Sequence, residues 1–292
     1  MKIVKIIGGL GNQMFQYALY RSLKSRFPDE DIKVDTSLYH SYKLHNGLEL
    51  ERVFTITLDV AAPREIRQVS RYFQNFLLQR ICRKLLPNRR SELIQKGDAD
   101  YIPEVFQKGK NIYYEGFWQN EKYFSDIRQE IRTIYEFPGN LSGKNHDVAM
   151  AMQDSGTSVS IHVRRGDYLK HAMYCQCCSE EYYKKAMAEM RRRFSNITFY
   201  IFSDDSDWCA GFFEPLLLPG EKMLLVDWNH GEASHIDMRL MTMARGMIIA
   251  NSSFSWWAAW LNRRDDKTVI APSRWLTIAP VNDRQLPDWI LI

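Results

Sequence analysis

The sequence has no apolar run approaching the ~18 residues that a membrane-spanning helix needs. Its opening Met1-Lys2-Ile3-Val4-Lys5-Ile6-Ile7 is broken by Gly8 and Gly9 before it reaches the length of a signal-peptide core. Both absences point to a protein made and kept in the cytoplasm. Cysteine is scarce: Cys82, Cys175, Cys177, Cys178 and Cys209 are the only five in 292 residues, an odd and thin count that argues against a disulfide framework and for free thiols. Three of them crowd into Cys175-x-Cys177-Cys178, yet the second C-x-x-C pair that a zinc site needs is missing. Charge of one sign is not abundant either. Lys and Arg number 39 against 35 Asp and Glu, a net +4 that is too small and too dispersed for a nucleic-acid-binding chain. Internal repeats and low-complexity tracts are absent. What remains, 45% hydrophobic and 25% charged residues, is the composition of an ordinary folded chain, long enough for two domains or one large α/β unit.

Short apolar runs ending in polar or glycine-rich turns, each followed by a helix-period segment, recur through the second half and predict βα units around a parallel sheet. Strands are expected at 158–163, 198–203, 222–226, 247–250 and 268–271, with helices at 180–194, 234–244 and 253–261, a Rossmann-like order of elements. The first half opens the same way, with a strand at 2–7, a Gly8-Gly9-Leu10-Gly11-Asn12 turn and a helix at 13–26. The turn-rich stretch 137–145 is the candidate linker between domains 1–140 and 145–292. From 63 to 86, Ile66, Val69, Phe73, Phe76, Leu77, Ile81 and Leu85 recur at three- and four-residue steps among Arg64, Arg67, Arg71, Arg80 and Arg83. This is an amphipathic basic helix with two readings: its apolar face lies in the domain core, or it makes a membrane-surface or partner contact.

In open α/β sheets ligands bind beyond the carboxyl ends of the strands, so polar residues just after each expected strand carry the most information. His162-Val163-Arg164-Arg165-Gly166-Asp167 is the first such place. Two arginines at a strand end suit a pyrophosphate, because a guanidinium donates in pairs and stays charged; equally, the pair could be bridged to Asp167 and a neighbouring helix. Ser203-Asp204-Asp205 is the second, with carboxylates that could accept from a ribose or a base, or cap a helix. Asp205-Ser206-Asp207 adds a D-x-D string, weak evidence for a cation. The third is Asn251-Ser252-Ser253-Phe254-Ser255-Trp256-Trp257, where hydroxyls and backbone N–H groups at a helix start form an anion site. Together the three describe a pocket for a nucleoside diphosphate. No G-x-x-x-x-G-K-[ST] loop occurs, and Gly9-Leu10-Gly11 lacks the third glycine of a dinucleotide fingerprint, Met14 standing there instead. Tyr17, Trp256, Trp257 and Trp260 could stack on sugars or fill the core.

The sequence resembles the bacterial α-1,2-fucosyltransferases of glycosyltransferase family 11. The resemblance rests on Gly8-Gly9-Leu10-Gly11-Asn12-Gln13-Met14-Phe15-Gln16-Tyr17-Ala18, His162-Val163-Arg164-Arg165-Gly166-Asp167-Tyr168, Phe202-Ser203-Asp204-Asp205 and Asn251-Ser252-Ser253-Phe254-Ser255-Trp256-Trp257-Ala258-Ala259-Trp260-Leu261, in the expected order. It implies an α/β fold of GT-B type, with two Rossmann-like domains facing across a cleft, and an inverting transfer of L-fucose from GDP-β-L-fucose to the 2-hydroxyl of a terminal β-galactoside. The donor GDP-L-fucose and a galactose-terminated glycan are then the partners. His162, Arg164, Arg165, Asp204, Asp205, Ser252, Ser253 and Phe254 are the expected donor-binding residues, with Arg164 also stabilising the leaving group. No metal is expected, since Arg164 and the Ser252/Ser253 helix start can offset the developing charge. Asn12 matches a family position near the transferred sugar, but an amide is a poor base; Asp167 is the nearest motif carboxylate and is assigned that role. The stretch 50–103 carries no family motif, and the Tyr174-Cys175-Gln176-Cys177 loop departs from the pattern. A sugar-binding protein without a diphosphate pocket is the alternative from another class, and GDP binding separates the two.

Overall fold

The computed structural model describes residues 1–42, 44–95, 101–107, 109–154, 156–166, 177–276 and 284–292. The chain forms two compact units, Met1–Pro138 and Gly139–Ile292.

The first unit holds strands β1 (Lys2–Lys5), β2 (Ile32–Asp35), β3 (Glu92–Ile94) and β4 (Ile112–Glu115), all parallel in the order β2-β1-β4-β3. Its helices are α1 (Leu10–Arg26), α2 (Leu50–Val53), α3 (Pro63–Val69), α4 (Phe76–Leu85) and α5 (Arg128–Ile134). β1 is central, so Ile3 and Val4 are fully buried and even its two lysines are enclosed. Those charges are tolerated because each is paired: Lys2 with Glu30, and Lys5 with Glu115 at 2.9 Å. α1 starts at Leu10 with Gly9 as its cap, earlier than the expected 13, so Gly11 and Asn12 belong to its first turn. The single helix expected over 63–86 is two. Ser70 leaves helical geometry at φ −146°, its hydroxyl bonded to Glu92 at 2.7 Å, and Asn75 caps a new start by accepting from Leu78 N–H at 3.0 Å.

The second unit contains β5 (Thr157–Val163), β6 (Ile197–Ser203), β7 (Lys222–Val226), β8 (Gly246–Ile248), β9 (Thr268–Ala271) and β10 (Ile290–Leu291), with α6 (Gly143–Asp154), α7 (Glu180–Arg193), α8 (Ser206–Phe213), α9 (His235–Met241) and α10 (Ser253–Leu261). The six strands are parallel in the order β10-β9-β8-β5-β6-β7. Counted from the unit's own first strand, this is the doubly wound order 3-2-1-4-5-6. β5 is buried along its whole length although its sequence alternates, so Ser158, Ser160 and His162 are enclosed along with Val159, Ile161 and Val163. Val159, Ile161 and Val163 of β5 pack with Phe199 and Ile201 of β6 against Tyr182, Tyr183, Ala186, Met187 and Met190 of α7. Trp256, Trp257 and Trp260 are buried in α10, so of their two readings the core one holds; Tyr17 is buried likewise.

Candidate active site

The order of the second sheet reverses between β5 and β8, which makes the space beyond their carboxyl ends its topological switch point. From β5 comes His162, 7% exposed, its ring 5.6 Å from that of Phe254 in the first turn of α10. Burial, with a smaller contribution from the Arg164 charge, lowers the imidazole from 6.5 to about 3, so it is neutral at physiological pH. Its Nδ1 is buried without a hydrogen-bond partner among the described residues. A buried ring nitrogen that the protein leaves unused, at a strand end, is the atom a ligand would satisfy.

The start of α10 faces the same switch point. Ser252 caps it, accepting from Phe254 N–H at 3.3 Å, while Ser255 turns inward and donates to the carbonyls of Ala250 and Ser252 at 3.3 and 3.4 Å. Two of the three serines therefore serve the helix, and the half-buried Ser253 is the hydroxyl outside these bonds. Asn251 is fixed from both ends, donating to the Trp275 carbonyl at 3.1 Å and accepting from Cys178 Sγ at 3.5 Å. Burial pushes the Cys178 thiol up to about 12, so it is a packing group and not a nucleophile.

Among the described residues Arg164 and Arg165 both pair with carboxylates just after β6, and one of these, Asp205, caps the neighbouring helix α8. Arg164 Nη1 lies 3.1 Å from Asp204 Oδ2, and Arg165 Nε lies 3.0 Å from Asp205 Oδ2. Asp204 also accepts from the backbone N–H groups of Arg165 at 2.9 Å and Gly166 at 3.2 Å, closing the turn after β5. Asp205 caps α8 by accepting from Trp208 N–H at 3.3 Å, and the Arg165 guanidinium sits over the Trp208 ring at 3.9 Å. The capping reading of Asp205 is thus realised, and Asp204 acts as the clasp of the arginine turn. Asp207 is exposed in the first turn of α8. Among the described residues no group of three or more His, Cys, Asp or Glu side chains could hold a metal ion. Asp167 and Cys175 lie outside the described residues.

In the first unit, Gly8 adopts φ +97°, a left-handed geometry that a side chain would strain, and a Cβ there would stand 3.0 Å from Asn12 Nδ2. Asn12 Oδ1 accepts from Gln119 Nε2 at 2.6 Å, so its amide NH2 is the end left to donate; the side chain is a donor, not a base. Gln13 staples the glycine turn to its neighbours, donating to Gly8 and Gly47 carbonyls at 2.9 and 2.8 Å and accepting from Glu49 N–H at 2.8 Å. Two residues here escaped the sequence reading: Gln119, which orients Asn12, and His45, whose ring lies 3.3 Å from where a Gly9 Cβ would be. Neither stands in a motif, and only the pairing of β1 with β4 brings the segment after β4 to the start of α1.

A model of the family "Glycosyl transferase family 11" matches residues 1–292. An Alpha-1,2-colitosyltransferase of Escherichia coli is 33% identical, over 96% of this chain and 94% of that protein. Galactoside alpha-(1,2)-fucosyltransferase 2 of the gorilla is 24% identical over 99% of this chain and 78% of the relative. Among solved structures, the NodZ alpha-1,6-fucosyltransferase of Bradyrhizobium co-crystallised with GDP superimposes with a TM-score of 0.52 at 14% identity, covering 88% of this chain and 91% of its own. With two parallel α/β sheets, this likeness gives the chain a fold of GT-B type.

Proposed function

Because the chain belongs to glycosyl transferase family 11, we propose that it transfers L-fucose from GDP-β-L-fucose to the 2-hydroxyl of a terminal β-galactoside. The acceptor oxygen attacks the anomeric carbon from the face opposite the phosphate; the bond from that carbon to the phosphate oxygen breaks, GDP leaves, and the β-linked sugar becomes α-linked. The observation that carries this reading is the switch point of the second sheet. There the unused Nδ1 of neutral His162, Phe254, Ser253 and the α10 N-terminus meet the end of β5 that leads into Arg164. Free N–H groups at a helix start favour a phosphate, and a guanidinium on the segment just after β5 would offset the charge that grows on the departing GDP. Neutral His162 has a nitrogen for a phosphate or sugar oxygen. Asn12 offers an amide donor on the first unit, and Asp167 is the candidate base on its place in the chain. The α-1,2 linkage is supported by its recurrence in the names of both the colitosyltransferase and the galactoside fucosyltransferase.

A second donor is favoured by one observation: the relative at 33% identity is named for colitose, the 3-deoxy counterpart of L-fucose. The two donors share the whole nucleotide, so the phosphate site accepts both and the choice falls to contacts with one sugar hydroxyl. Incubation with lactose and either GDP-fucose or the GDP-linked 3-deoxy sugar, followed by linkage analysis, tests both points. Transfer of fucose to position 2 of galactose is expected; transfer to another position or to a non-galactose sugar overturns the acceptor, and turnover with the 3-deoxy donor alone overturns the fucose assignment. Activity is expected to survive EDTA, because Arg164 and the helix start supply the positive charge. Loss with EDTA and recovery with magnesium or manganese would move Asp205 and Asp207 into a metal-binding role.

A further inference from the structure

α4 is mounted inside out. At about 100° per residue its four exposed aliphatic residues, Leu77, Ile81, Leu85 and Leu78, fall within one sector of roughly 100°, and Gln79 and Arg83 fall opposite. In a soluble domain the aliphatic sector would face the core; here the polar one does. Gln79 is buried, accepting from Lys5 Nζ at 3.0 Å and donating to Glu115 at 3.3 Å. Arg83 bridges Glu92 at 2.7 Å and Glu115 at 2.6 Å. Meanwhile Leu77, Leu78, Ile81, Leu85 and Leu86 are 66, 52, 54, 76 and 44% exposed. They are five of the eleven large hydrophobic side chains exposed among the described residues, so the first unit concentrates its apolar surface on this one face.

The charge around that face has one sign. Between Ile66 and Ser91 the chain carries seven Lys and Arg and no carboxylate. Of these, Arg80 and Lys84 are exposed along one border of the aliphatic sector, and Arg89 and Arg90 follow in the exposed segment after the helix. An aliphatic stripe edged by cations complements the surface of an anionic bilayer, with apolar side chains below the headgroups and ammonium and guanidinium groups among the phosphates. The ten residues of α4 would span about 15 Å, half of a hydrocarbon core, so the helix can lie in a membrane surface and not cross it. A second copy fits less well: a two-fold contact through this face would bring Arg80 and Lys84 of each protomer together, with no carboxylate to separate them.

We propose that α4 is a membrane-surface anchor, seating the first unit on anionic phospholipid through Leu77, Leu78, Ile81 and Leu85, with Arg80 and Lys84 on the headgroups. Whichever sugar is transferred, the proposal stands on this face alone. The test is flotation of the full chain with vesicles of phosphatidylglycerol or of phosphatidylcholine. Binding to the first and not the second is expected. The triple variant Leu77→Ser, Ile81→Ser, Leu85→Ser should bind more than tenfold more weakly, and Arg80→Gln and Lys84→Gln roughly fivefold each. These side chains are exposed, so thermal melting and GDP-induced stabilisation of the variants should match the parent, which separates lost anchoring from lost folding. No flotation with phosphatidylglycerol overturns the proposal, as does full binding by the triple variant. Self-association that the triple substitution abolishes, without lipid binding, overturns it in favour of a second copy.

Discussion

His162 and Asp237 are buried ionisable groups of the second unit that pull its stability in opposite directions. Burial lowers His162 from 6.5 to about 3, so between those values the unfolded chain takes up a proton that the native chain refuses, and stability falls as pH is lowered through that window. Burial raises Asp237 from 3.8 to about 7, against a 2.7 Å hydrogen bond from Asn229. The native chain then keeps a proton that the unfolded chain has released, and stability falls as pH rises from 3.8 to about 7, a range that largely overlaps the first. Relative to the parent, His162→Asn should therefore make stability decline more with rising pH, and Asp237→Asn should make it decline more with falling pH. Urea midpoints measured across the window check this, and curves parallel to the parent in both variants would refute it. For turnover, Arg164→Ala should cost on the order of 10²-fold or more, about 3 kcal/mol at the leaving group. Arg164→Lys should recover little, since an ammonium cannot form the paired contact. Steady-state rates near the parent's in the alanine variant would remove Arg164 from the phosphate site.

At the level of elements, the turn from β5 to Gly166 depends on a close approach. A Cβ on Gly166 would stand 2.9 Å from Asp204 Oδ2, the carboxylate that clasps the Arg165 and Gly166 N–H groups and pairs with Arg164. Gly166→Ala should displace that carboxylate, costing about 1–3 kcal/mol in a denaturation experiment and lowering turnover with it; unchanged stability would show that the clasp yields freely. The turn also marks the limit of what sequence alone conveys. β6 and β9 were readable because strands inside a parallel sheet form sustained apolar runs with turns at their ends, β5 by its apolar alternation, and β7, at the sheet edge, by its Met223–Val226 run. β2, β3 and β4 are only three or four residues long, and Ile32–Asp35 and Glu92–Ile94 mix charge with apolar residues, so nothing in their pattern separates them from loop. In α4 the periodicity was plain but its direction was not: period fixes a face, and only the Lys5–Glu115–Arg83–Glu92 network shows which face turns inward. The site divides the same way. His162, Arg164 and Ser252 could be found by their place after strands, whereas the pairing of Arg164 with Asp204 and of Asn12 with Gln119 links residues 40 or more apart in sequence.

The whole molecule separates into a first unit whose strands all precede residue 116 and a second whose six strands all fall within 157–291. Each sheet is thus complete within its own stretch of chain, and fragment 139–292 should fold alone and keep the GDP site. Excess GDP is expected to raise its melting temperature and that of the full chain alike, by about 2.7 kcal/mol of apparent stability at a hundredfold excess over Kd. A fragment that folds without responding to GDP would place part of the nucleotide site in the first unit. The same separation sets an order in time. The first sheet is closed once Glu115 has left the ribosome, and at roughly 5–20 residues per second the rest of the chain takes roughly a further 10–35 s. The second sheet is made from its middle outward: β5 emerges early, but its partner β8 follows only after α7, β6, α8, β7 and α9. The switch point, which needs both strands and the start of α10, comes late, ahead only of β9 and β10. A ribosome that stalls before Ser253 therefore releases a chain with one finished unit and no place to hold a phosphate.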